Sequence, residues 1–306
     1  MTLAPAPSPI ETKIRLDFAV DPRLTIAPLW HAVGNQQMRF DAASLLRATR
    51  TSEGPASVRL TFGRGEVNVQ AWGPGAGAAV EAVPDLLGAR DDPAALIPRH
   101  TIVRDLVRRT SGLRMARAGA VFEWLLPAIV AQKVTGLESR RSYRGLLVRY
   151  GEPAPGPLGL TLPPLPAALA GQPYWAFHEL GLEQRRSNVI RRSAEAAAAL
   201  EATLGLAAAE TRRRLLAVPG VGPWTAAETM RPALGDPDAV SVGDFHLPNL
   251  VAWALAGEPR GNDERMLELL EPYAGQRARV VMLLEMSGLR PPRYGPRLSA
   301  RSIAGY

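Results

Sequence analysis

The chain has 306 residues, 46% of them hydrophobic and 21% charged, with a net charge of +7 and no cysteine. That length suits two domains, and the composition excludes wholesale disorder. The missing cysteines exclude disulfides, thiolate zinc sites, iron–sulfur clusters and cysteine nucleophiles. No apolar run reaches the ~18 residues that a membrane span needs. The start, MTLAPAPSPIETK, lacks the basic-then-apolar pattern of a signal peptide. No membrane association and a cytoplasmic location are therefore expected.

In chain order, segments 14–20, 57–62 and 66–72 alternate as strands do, and Gly63-Arg64-Gly65 joins the last two as a hairpin turn. Segments 24–34 and 42–48 read as short helices, and another helical pattern runs over 78–88. Residues 1–104 are expected to form a small mixed α/β domain. The apolar period then becomes helical. Helices are expected at 102–109, 120–134, 136–150, 175–180, 183–200, 211–217, 223–234, 245–256, 263–270 and 275–286. The resulting class is α+β, with an all-α region over 105–290. Segment 151–166 holds six prolines and cannot be helix, so it reads as a linker or surface loop. Residues 291–306 read as a loose basic tail. Residues 1–104 carry a net charge of +1 and the remainder +6. The second part is thus the better match for a polyanion, although a solvated arginine-rich face gives the same count.

The most informative stretch is TRRRLLAVPGVGPWT, residues 211–225. A helix ends, Pro219-Gly220-Val221-Gly222 turns, and Pro223 opens a second helix, where its missing N–H costs nothing. The glycines allow left-handed dihedrals and clear side chains from the turn, so bare N–H groups and a helix N-terminus can meet a phosphate. The same sequence also serves as a plain interhelical turn. Beyond it lies DAVSVGDFHLPNLV, in which Asp244 follows an apolar run and precedes a helix. Asp244 also suits an N-cap, and the two roles are compatible because a cap fixes where a carboxylate points.

The hairpin-to-aspartate spacing resembles that of the helix–hairpin–helix (HhH-GPD) DNA glycosylase superfamily. So do VFEWLLPAIVAQ (121–132), HELGLEQRRSNVIRRSAEAA (178–197) and VPGVGPWTA (218–226). The preceding α/β region resembles that of its alkylation-repair branch, the 3-methyladenine DNA glycosylase II (AlkA) type. The resemblance implies a monomer on double-stranded DNA that excises alkylated bases in base excision repair. It implies that Asp244 is the catalytic carboxylate and that Pro219, Gly220, Val221, Gly222 and Thr225 form the DNA-binding hairpin.

Excision needs a flipped base, and a carboxylate beside the sugar stabilises the oxocarbenium-like charge. Bifunctional members carry a lysine two positions after the second hairpin glycine; here that position is Trp224. The chain's only lysines are Lys13 and Lys133, so hydrolysis without a lyase step is expected. Trp224 suits either stacking on a cationic base or core packing.

Three positions depart from the family. Glu228 and Glu285 replace pocket aromatics. They either make an acidic base pocket, in which Glu228 matters most for charged lesions, or pair with arginines. Lys133, after Gln132, stands where a leucine can wedge the duplex, and suits a phosphate contact better. His246 either assists the site or is structural. No side-chain metal site is expected, and the only cofactor the resemblance allows is a monovalent cation at the hairpin carbonyls. Two further readings compete: a non-catalytic binder of damaged or bent DNA, and a glycosylase redirected to bulky alkyl adducts.

Overall fold

The computed structural model describes residues 8–34 and 36–292. The expected tail lies outside these residues apart from its first two positions. The first part is a five-stranded antiparallel sheet in the order β1-β5-β4-β3-β2. Its strands are β1 (Ile10–Arg15), β2 (Met38–Asp41), β3 (Ser44–Thr51), β4 (Gly54–Phe62) and β5 (Glu66–Trp72), with α1 (Pro22–Val33) between β1 and β2. The expected hairpin joins β4 to β5, closed by a bond from the Gly63 N–H to the Glu66 carbonyl at 2.9 Å.

Segment 42–48, expected as helix, is instead a turn at residues 42–43 followed by the start of β3. Its Leu45 packs on one face of the sheet, with Val58 and Ile26. Leu46 and Ala48 pack on the other, against Trp72, Leu158, Leu160 and Leu162. A strand buried on both faces loses the apolar–polar alternation that marks it in a sequence. The second face is covered by the proline-rich segment, which is an ordered strap rather than a free linker. Its short strands β6 (Glu152–Pro153) and β7 (Thr161–Leu162) pair with each other. Arg39 donates to the Leu158 carbonyl at 2.7 Å, and Thr161 N–H to that of Gln36 at 2.8 Å.

The helical part comprises α2 (Ala76–Glu81), α3 (Val83–Leu86), α4 (Thr101–Arg109), α5 (Val121–Val130), α6 (Gly136–Tyr150), α7 (Pro166–Ala170), α8 (Gln184–Glu195), α9 (Ala197–Glu201), α10 (Ala208–Leu216), α11 (Pro223–Leu234), α12 (Leu247–Ala256), α13 (Asp263–Leu270) and α14 (Arg277–Met286). Segment 175–180 is a 3₁₀ turn, and the helix expected over 183–200 is divided at Ala196 into α8 and α9.

Every residue of α5 is buried, as expected of a helix that is apolar all round. It packs on α8 and α11 in a core that continues into the sheet. Its first N–H groups, on Val121 and Phe122, donate to the Glu201 carboxylate at 2.9 and 2.7 Å, which satisfies them and complements the positive end of the helix dipole. Its one acidic residue, Glu123, meets Arg47 at 3.0 Å with both side chains 4% exposed. Thr49 and Gln37 also donate to that carboxylate, at 2.7 and 2.9 Å, and Tyr143 donates to Gln37 at 2.6 Å. This network pins sheet to helices.

A second core joins α4, α12, α13 and α14 through Val103, Leu106, Val251, Met266, Leu270 and Leu284. The chain crosses from the first core to the second between α11 and α12, and Asp244 lies on that crossing.

Candidate active site

The segment expected to form a hairpin does so, between α10 and α11. Gly220 is required there twice over. Its φ is +98°, and a Cβ would stand 2.2 Å from Val189 Cγ2 on α8. We expect Gly220→Ala to destabilise the fold by about 2–4 kcal/mol through backbone strain and overpacking. Adding Val189→Ala should recover only the packing share in a denaturation titration; no loss in the single variant would contradict this geometry. Gly222 differs. It is extended at φ −98°, and its missing Cβ faces open space, so the fold alone does not demand glycine there.

Val221 anchors the turn, 5% exposed, while Pro219 and Gly220 are exposed. Gln132, just past α5, donates its amide to the Gly220 carbonyl at 3.1 Å and to Thr225 Oγ1 at 2.8 Å. Both amide hydrogens are thus used in bracing the hairpin, and Thr225 is buried beneath it. Lys133 is exposed, with a left-handed φ of +55° where the helix ends. That turn stops α5 short of the expected 134.

Along α11, Trp224, Glu228 and Arg231 fall at i, i+4 and i+7, on one face. Trp224 donates its indole N–H to Asp244 Oδ2 at 2.9 Å. Asp244 Oδ1 accepts the backbone N–H groups of His246 and Leu247 at 2.7 and 2.9 Å, at the start of α12. Asp244 is thus not itself the N-cap, which is His246; its carboxylate instead holds the turn that leads into α12. It is tied to the hairpin helix through a bond that the sequence does not reveal. His246 is exposed, and its ring lies edge-on to that of Phe245, 5.0 Å away.

Glu228 and Glu285 both gather around a residue the sequence reading overlooked, Arg231. Arg231 and Ser241 both hydrogen-bond to Glu228 Oε1. On its other side Arg231 faces Glu285 on α14 at 3.6 Å, close enough for attraction but not for a hydrogen bond. Of the two alternatives for these glutamates, the structure shows the pairing with an arginine: one guanidinium sits among the carboxylates, so the wall is not purely acidic. Its i+3 spacing from Glu228 was the available signal. Burial opposes the charge of Arg231, but Glu228, Glu285 and Asp244 outweigh it and raise its pKa.

Although 44% of its side chain is exposed, crowding around the carboxyl pushes Glu285 up to about 7 through desolvation, aided by the Glu228 and Asp244 charges and opposed by Arg231. Below the unfolded value near 4.5 both states are protonated, so Glu285 adds no pH dependence there. As pH rises from there through about 7 the folded state binds the extra proton, and stability falls. Glu285→Gln should remove that slope. The Tm of the variant relative to wild type should rise between pH 5 and pH 8 (roughly the span of the titration), and a constant difference would contradict the assignment.

Among the described residues no three His, Asp or Glu side chains gather as metal ligands, and no helix is long and apolar enough to cross a membrane. Chemically, the arrangement offers a carboxylate of fixed direction beside an indole and a charged cluster, suited to stabilising a nearby cation.

No family model matches the chain. The fold is similar to those of several solved DNA glycosylases. It is similar to a 3-methyladenine DNA glycosylase from Archaeoglobus fulgidus, with a TM-score of 0.73 and 20% identity over 90% of this chain and 97% of that one. It is also similar to a Clostridium acetobutylicum 8-oxoguanine glycosylase/lyase solved with double-stranded DNA, with a TM-score of 0.69 and 14% identity over 91% and 96% of the two chains. In sequence, 170 residues, 55% of this chain, are 29% identical to a probable bifunctional transcriptional activator/DNA repair enzyme AlkA of Mycobacterium tuberculosis. The match spans 32% of that curated relative's length.

Proposed function

We propose that the protein is a monofunctional DNA glycosylase that hydrolyses alkylated purines from double-stranded DNA. The observation that carries this reading is the Asp244 carboxylate, held at the start of α12 by two backbone N–H groups and tied by Trp224 to the hairpin. The exposed hairpin supports a phosphate contact, and Gly222, a glycine the fold does not need, leaves room for close backbone approach. The relatives favour alkylated bases as substrates: the archaeal neighbour is a 3-methyladenine glycosylase, and the curated relative is of the AlkA type.

In this mechanism the target nucleotide is extruded, at a cost of a few kcal/mol. The C1′–N bond breaks and its electron pair leaves with the base. A purine alkylated at N3 or N7 already carries positive charge, so it departs neutral without prior protonation. Asp244 stabilises the oxocarbenium-like sugar. Water adds at C1′ and gives up a proton to the carboxylate or to solvent.

Cutting the strand would require an amine at C1′. Trp224 occupies the second position after Gly222. Lys13 pairs with Glu66 at 3.0 Å on the sheet. Lys133 is exposed at the end of α5. The expected result is release of free base with the strand intact until alkali is added, and no protein–DNA adduct on borohydride treatment. A borohydride-trapped adduct that disappears in Lys133→Ala would establish a lyase instead.

A further inference from the structure

Phe245 is 75% exposed, the highest value among the large apolar side chains of the described residues. It is the residue next to Asp244. Its backbone is not free to turn the ring inward, because Asp244 Oδ1 holds the N–H groups of His246 and Leu247 on its C-terminal side. On the other side Trp224 fixes Asp244 to α11. The His246 ring touches Phe245 edge-on, leaving most of the phenyl uncovered. An aromatic kept in water by a rigid support, next to the Asp244 carboxylate, has an unused stacking surface. The turn after α5 offers no comparable aromatic plug: it presents the charged Lys133 and, at the start of α6, the smaller Leu137, 53% exposed. Exposed Trp175, Val148 and Ile97 have no such tie to Asp244.

We propose that Phe245 enters the DNA stack beside the extruded nucleotide and holds the gap open, an inference that rests on the glycosylase reading for the position of the DNA. Apolar side chains inserted between base steps unstack and kink a duplex. Aromatic–base stacking is tolerant of sequence because every base has a π-face. Phe245 is thus a positioning residue: it acts on the duplex, not on the reacting bond.

The test compares wild type, Phe245→Ala, Phe245→Trp, Lys133→Ala and Leu137→Ala on two substrates. One is a fully paired duplex with a single alkylated purine. The other carries the same lesion in an unpaired bubble. Each has 2-aminopurine beside the lesion to report unstacking on binding. Phe245→Ala should lower base release from the duplex about 10-fold or more, the scale of one lost stack, while release from the bubble stays near wild type. The 2-aminopurine signal seen with wild type should be lost, and Phe245→Trp should restore both.

Equal loss on duplex and bubble, unchanged duplex release, or a loss that instead follows Lys133 or Leu137 would overturn the proposal. So would a wild-type protein that binds the duplex without unstacking it. If wild type releases no base from either substrate yet unstacks the duplex in a Phe245-dependent way, the glycosylase reading fails while the insertion stands.

Discussion

Replacing Asp244 by Asn should lower base release by about 10²–10⁴-fold, the range for losing a positioned electrostatic or general-base group. DNA affinity should change little, because the hairpin and its Gln132 brace are untouched. Asn also fits the local bonding poorly. The carboxylate accepts one bond on Oδ2, from Trp224, and two on Oδ1, from backbone. An amide has a single acceptor oxygen, so its NH₂ must face either the indole N–H or the helix start. A stability loss of about 1 kcal/mol is expected from that mismatch. Single-turnover release and fluorescence anisotropy on the same preparation separate the two effects. Release within a factor of ten of wild type (about 1.4 kcal/mol of barrier) would remove Asp244 from the chemistry.

The largest stability effect should come from a position far from that chemistry. Glu123→Ala strands the Arg47 guanidinium, 4% exposed, without its partner. It also removes the acceptor of Thr49 and Gln37. Breaking a buried ion pair from one side costs about 3–5 kcal/mol. Replacing both residues with apolar ones of similar size, Glu123→Leu with Arg47→Met, should recover much of that loss, because no charge is then left buried. Urea titration of the two single variants and the double gives the coupling directly. A Glu123→Ala loss below about 1 kcal/mol would mean that water reaches the pair.

The turn between α10 and α11 and the helix start that follows Asp244 were legible in the sequence because their signals are local. Two glycines, a helix-opening proline, and an apolar run ending in an aspartate each constrain the backbone by themselves. Most helices were legible for the same reason, through their apolar period.

What escaped the sequence depends on distant partners. β3 reads as helix because the strap over 154–162 covers its second face, and nothing near residues 42–48 announces that cover. The prolines of the strap exclude helix but do not show that Leu158, Leu160 and Leu162 pack on Trp72. At the site, the bond from Trp224 to Asp244 joins residues 20 apart. Glu228 and Glu285 leave an acidic pocket and arginine pairing both open until Arg231 is placed between them. Of these, only Arg231 left a local trace, its i+3 spacing from Glu228.

The most direct measurement is release of free base from methylated double-stranded DNA under single-turnover conditions, with wild type and Asp244→Asn side by side. Wild type is expected to liberate alkylated purines, resolved by chromatography, while the variant binds the same DNA and liberates almost none. Wild-type protein that binds the DNA and releases nothing, or a variant that releases base as fast as wild type, would contradict this expectation.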